Sequence, residues 1–142
     1  MSNFTLYYWP VPFRGEFVRA LLAHAGATVD EPDSDAVSAM MDMDPSDQPV
    51  PHMAPPLLVD NASGKGIAEM PAICLWLAEQ FNLTPSAPHQ KALALKVIND
   101  ANDVLDEMTL NGGKTMWTTG SWTHFRPRLR RWMRIWEAAV VQ

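Results

Sequence analysis

The chain has 142 residues, 47% of them hydrophobic, with 12 prolines, a single cysteine and a formal net charge of -5. That length can bury a core as one ordinary domain or two small ones. The acidic balance argues against a general nucleic-acid binder, because such binding rests on Lys and Arg neutralising phosphates. One cysteine allows no intramolecular disulfide. With no apolar run of membrane-spanning length and no basic segment leading into an apolar signal core, the expectation is a cytoplasmic protein with no membrane partner.

The first element, Phe4-Thr5-Leu6-Tyr7-Tyr8-Trp9, is rich in aromatic and β-preferring residues and predicts a strand, stopped by Pro10 and Pro12. From about Arg14 to Ala25 the spacing predicts a helix with Phe17, Val18, Leu21, Leu22 and Ala25 on one face and Gly26 as its stop. Thr28 to Glu31 reads as a second strand, which would complete a βαβ unit. Between Pro32 and Met53, five aspartates and the prolines Pro45, Pro49 and Pro51 predict a short helix, about Ala36 to Met43, inside a loop.

Pro55 to Phe81 organises the rest. Leu57 to Val59 is a short apolar run expected of a buried strand, and Asn61 to Gly64 turns into a second strand near Lys65 to Ala68. From Met70 the apolar spacing becomes helical, with Pro71 in the first turn, where a missing N–H does no harm. Asn82 to Pro88 reads as a linker. A further helix is predicted from His89 to Leu110, with Ala94, Ile98, Ala101, Leu105 and Met108 as its apolar stripe and Asn111-Gly112-Gly113 as its end. A last helix is expected from Ser121 or Thr123 to Val141. It carries Trp122, Phe125, Leu129, Trp132, Trp136 and Val140 on one stripe, five arginines between Arg126 and Arg134, and tryptophans with too few elements to cover them.

The order and spacing of these motifs resemble the glutathione S-transferase family, specifically its sigma-like or a related bacterial branch. Pro56 before a strand stands where the family has a cis-proline. Glu69-Met70-Pro71-Ala72-Ile73 stands at the family's Glu/Gln-Ser-x-x-Ile helix opening, and Leu6-Tyr7-Tyr8-Trp9 followed by Arg14-Gly15-Glu16 resembles the tyrosine-bearing first loop. The resemblance implies an α/β thioredoxin-like domain, with a mixed four-stranded sheet and three helices, over residues 1–81. It implies a linker over 82–88 and a truncated all-α domain of two helices over 89–142.

It also implies site roles. Tyr8 would donate its hydroxyl to the glutathione sulfur, since the thiolate is the effective nucleophile and a free thiol is mostly protonated at neutral pH. The alternative for Tyr8 is a plain strand aromatic, and Tyr7 is its internal control. Arg14 would raise the positive potential near the thiolate or pair with nearby acids. Pro55 and Pro56 would meet the cysteinyl part of glutathione, although Pro55 lacks the N–H that the family uses. Glu69 and Met70 stand at the γ-glutamyl position, and Met70 lacks the family's hydroxyl. Asp100 and Asp103 are candidates to reach a ligand across a dimer interface, or they belong to a solvated face.

The implied function is a glutathione transferase with glutathione as co-substrate, a small hydrophobic electrophile, a homodimeric state and a detoxification role. A catalytically weak glutathione-transferase-like scaffold for ligand binding or association is the alternative. The electrophile would lie between the Tyr8 loop and the His89 to Leu110 helix. The four histidines show no metal spacing, so no metal is expected, and Cys74, between apolar neighbours on a helix, reads as an inert core thiol.

Overall fold

The structure is a computed structural model describing residues 2–109 and 118–140. Strand β1 (Phe4–Tyr7) leads into α1 (Arg14–His24), β2 (Val29–Asp30), α2 (Ser34–Asp42), β3 (Leu57–Asp60), β4 (Gly66–Ala68) and α3 (Met70–Gln80). Two long helices follow, α4 (Pro88–Thr109) and α5 (Thr119–Val140). The chain divides into two compact units, 1–91 and 92–142. None of the described helices is long and apolar enough to cross a membrane.

In the first unit the four strands lie in the order β2-β1-β3-β4. β1 runs parallel to β2 and antiparallel to β3, and β3 is antiparallel to β4, so the sheet is mixed. The two-residue period of a strand puts Phe4, Leu6 and Tyr8 on one face. There they form a core with Leu58, with Val18 and Leu22 from α1, and with Ile73 and Leu77 from α3. The stripe on α3 is Met70, Ile73, Cys74 and Leu77, the i, i+3, i+4, i+7 spacing of a buried helix face. Leu57, whose side chain alternates to the other face, is also fully buried, and α2, with Val37 buried, contacts β1.

Three details depart from the sequence reading. β1 ends at Tyr7 rather than Trp9, because the Trp9 carbonyl turns away to accept the Val11 N–H at 2.8 Å and Pro10 has none to offer a ladder. On α1 the inward stripe is Gly15, Val18 and Leu22, while Phe17 is left exposed. α2 starts at Ser34, earlier than expected, because the Asp33 side chain caps it by accepting from the Ala36 N–H at 2.9 Å. The stop on α1 is as expected: Gly26 has φ +66, and the Ala25, Gly26 and Ala27 N–H groups close the last turn on Leu21, Ala23 and Leu22.

In the second unit, α4 buries Val104 and Leu105, with Ala94, Ile98, Ala101 and Met108 half-buried, as the predicted stripe requires. Leu110 and the Asn111-Gly112-Gly113 ending lie outside the described residues. α5 begins at Thr119, two residues before the earlier of the two expected starts. Thr118 and Ser121 cap it reciprocally, through Ser121 N–H to Thr118 Oγ1 at 3.1 Å and Thr118 N–H to Ser121 Oγ at 2.9 Å. The expected end at Val141 is outside the described residues. Arg128 on α5 grips Glu107 on α4 with two bonds, Nε to Oε2 at 2.7 Å and Nη2 to Oε1 at 2.5 Å. Of the tryptophans expected to be bare, Trp122 is exposed, whereas Trp132 and Trp136 are half-buried and stack on each other, ring centroids 6.0 Å apart and planes 30° from parallel.

Candidate functional site

Sheet register brings three of the sequence-selected residues to one end of the first unit. Tyr7 pairs with Leu57, and Leu57 pairs with Ala68. One residue further along each strand come Tyr8, Pro56 and Glu69, and the Glu69 N–H donates to the Pro56 carbonyl at 3.2 Å. The Pro55-Pro56 peptide is cis. Tyr8, Pro56 and Glu69 are distant in sequence, and the pairing of β1, β3 and β4 makes them neighbours.

The ring of Tyr8 is a core group, 6% exposed and packed edge-on to Trp9 with centroids 5.8 Å apart. Its hydroxyl has no hydrogen-bond partner among the described residues, yet it is not sealed. The side-chain polar atoms buried there without a partner are Thr84 Oγ1, Thr109 Oγ1 and Trp136 Nε1. The two readings of Tyr8 are therefore compatible, because the ring packs like a strand aromatic while the oxygen stays open to a ligand. Tyr7 points to the other face and is half-buried.

Glu69 is exposed and holds φ 72, ψ 120, a backbone region that a residue with a Cβ occupies at a cost of about 1–3 kcal/mol. Such conformations persist where the surroundings over-determine them, and here the N–H is tied to Pro56 while the carbonyl accepts from the Ile73 N–H at 2.9 Å. Its carboxylate makes no cap to α3, so it is free of the role that the first turn would otherwise give it. Met70 is 1% exposed, with its side chain in the core, so what it can present to a ligand is backbone. Pro55 can offer a carbonyl but no N–H. Arg14 is half-buried at the first residue of α1.

The remaining candidates lie in the second unit. Asp100 is nearly buried and ion-paired with Lys96 one turn earlier, whereas Asp103 is exposed. Cys74 is buried, and burial pushes its thiol up to about 11. Two residues near Tyr8 escaped the sequence reading. Gly15 lies against the Tyr8 ring, and Arg19 binds the loop after it. A glycine early in a helix, one turn before an arginine, was the available signal, but nothing in one sequence links either to Tyr8.

Comparison with known proteins matches residues 93–142 to the family described as glutathione S-transferase, C-terminal domain. Among curated proteins no sequence matches. Among solved structures, a nematode-specific glutathione transferase from C. elegans superposes with a TM-score of 0.66 at 19% identity, over 93% of this chain and 65% of that one. The monomeric Na-GST-3 of the hookworm Necator americanus gives 0.59 at 21% identity, over 75% and 49%. Ure2p in complex with glutathione gives 0.70 at 14% identity, over 96% and 62%. This chain thus spans about half to two thirds of the length of the structures that it resembles.

The fold is the one these proteins share, a thioredoxin-like mixed sheet with helices followed by a helical C-terminal part. Residues 93–142 match the C-terminal domain of the glutathione S-transferase family by sequence, and the fold across most of the chain is similar to that of solved glutathione transferases.

Proposed function

We propose that this chain binds glutathione at the end of the sheet where Tyr8, Pro56 and Glu69 meet, and conjugates its sulfur to a small apolar electrophile. The observation that supports this reading is the strand register, which brings Tyr8, with its unpartnered hydroxyl, and the strained, exposed Glu69 to the same end of the sheet on either side of Pro56. In the reaction Tyr8 donates a hydrogen bond to the sulfur, holding it as the thiolate. The sulfur lone pair forms the new S–C bond, the thiol proton passes to solvent, and the electrophile accepts or releases the displaced electron pair. Glu69 accepts from the ligand's α-ammonium group, the Pro55 carbonyl meets its cysteinyl N–H, and Arg14 adds positive potential. We further propose a cytoplasmic homodimer, with Asp100 and Asp103 as the residues offered to the partner's ligand.

A second reading, a scaffold that binds glutathione without turning it over, is favoured by two observations: Pro55 has no N–H, and the Met70 side chain is buried. Retention on immobilised glutathione and elution by free glutathione test the binding. Failure to bind sinks both readings. Specific binding with no conjugation of a generic aromatic electrophile selects the scaffold. Sedimentation at micromolar concentration tests the homodimer, which a monodisperse monomer would refute.

A further inference from the structure

Arg19 lies on α1 with its side chain only 20% exposed, and its donors are spent inside the protein. Nε and Nη2 fork onto Glu31, just past β2, at 2.9 and 2.7 Å to Oε2, and Nη1 reaches Glu16 at 3.2 Å. The same guanidinium donates from Nη2 to the Trp9 carbonyl at 3.0 Å and from Nη1 to the Val11 carbonyl at 3.2 Å. Its carbon stands 5.8 Å from the centre of the Tyr8 ring, within cation–π range. The pairing with Glu31, first among several causes, raises its already high pKa, so the charge is permanent.

The segment that it touches needs such support. Trp9 to Phe13 belongs to no strand or helix, and Pro10 and Pro12 have no N–H. Its own backbone bonds are the tight Val11 N–H to Trp9 carbonyl contact and the Glu16 N–H to Phe13 carbonyl bond at 3.0 Å. A planar cation with five donors can hold the Trp9 and Val11 carbonyls and an aromatic face while anchored to a carboxylate; a lysine cannot.

We propose that Arg19 is a positioning residue for Tyr8. It clamps the Trp9–Val11 segment and the Tyr8 ring to the end of β2, so that the hydroxyl is held at a fixed point. For catalysis this rests on Tyr8 serving the ligand sulfur. The clamp itself does not, and the two are measured separately.

The test is Arg19→Gln in the whole chain, read first without any ligand. Amide hydrogen exchange at Val11, whose N–H is bonded to the Trp9 carbonyl that Arg19 holds, is expected to speed up by about tenfold or more, while the β1 amides keep their protection. With glutathione and a generic aromatic electrophile, kcat is expected to fall by about tenfold or more with the KM for glutathione changed less than about threefold, since Arg19 offers no donor to the ligand. Unchanged loop exchange overturns the clamp, and faster exchange with unchanged kcat overturns the positioning role. If Arg19→Gln does not fold, Glu31→Gln removes the anchor but keeps the guanidinium and is judged by the same two readouts. If the unmodified protein shows no conjugation, or Tyr8→Phe leaves it unchanged, the transferase reading fails and exchange alone decides the clamp.

Discussion

Gly15 has no side chain because Tyr8 occupies the space: a Cβ on Gly15 would stand 2.6 Å from Tyr8 Cγ and 2.9 Å from Cε1, and closer still to Cδ1. The atoms it would strike belong to a ring packed in the core, not to the far end of a flexible side chain. Gly15→Ala therefore forces the tyrosine to move. Overpacking of this kind costs about 1–3 kcal/mol, so a lower urea midpoint is expected, with conjugating activity lost more steeply than stability. Full activity and unchanged stability would show that Tyr8 does not depend on this contact.

Tyr8→Phe keeps the ring and removes the oxygen. Since removal of one preorganised donor to an anion commonly costs on the order of 10²-fold in rate, conjugation should fall by a comparable factor. Tyr7→Phe, on the opposite face of β1, should change little. Equal losses from the two substitutions would take Tyr8 out of the mechanism.

Met70→Ser adds the hydroxyl that the family motif carries, but at a side chain 1% exposed. Truncating a buried methionine costs about 2–5 kcal/mol, and a hydroxyl placed in the core adds to that cost. The expected result is a clear drop in thermal midpoint. If stability is unchanged and glutathione binding is tighter, the serine has found the ligand and the helix start has rearranged around it.

The Cys74 thiol, buried and pushed up to about 11, should resist alkylation near pH 8 in the folded protein and react readily once urea unfolds it. As its folded pKa is raised, its contribution to stability is intact below the ordinary thiol value and is lost as pH climbs toward 11. Rapid labelling of the native protein would contradict the burial.

Glu107 lies below the usual carboxylate range, chiefly because Arg128 donates to it. A folded pKa below the unfolded one stabilises above the unfolded value, about 4.3, and that stabilisation drains away as pH falls through the folded value. Glu107→Gln should therefore flatten the acid side of the stability profile, read as urea midpoints from neutral pH to about pH 3. An unchanged acid limb would mean that the pair adds nothing, as with many solvent-screened ion pairs.

What could be read without coordinates was what local chemistry dictates. The helical spacing of Met70, Ile73, Cys74 and Leu77, the turn through Asn61 to Gly64 and the stop at Gly26 each follow from neighbours in the chain. Phe17 misled, because an apolar spacing does not reveal that the helix rolls to press Gly15 on Tyr8. Met70 was placed by motif, but its rotation into the core depends on how α3 sits on the sheet. Arg19 stayed hidden for a similar reason: its partners Trp9, Val11 and Glu31 come from the segment after β1 and from the end of β2.

The stacked indoles of Trp132 and Trp136 also give α5 an optical signature of its own. Two chromophores 6.0 Å apart and inclined by 30° couple their transitions, and the coupling exists only while one helical turn separates them. Circular dichroism in the indole bands would then follow the integrity of α5 without a label. Trp132→Phe should abolish the coupled signal and leave the contributions of the other five tryptophans as background.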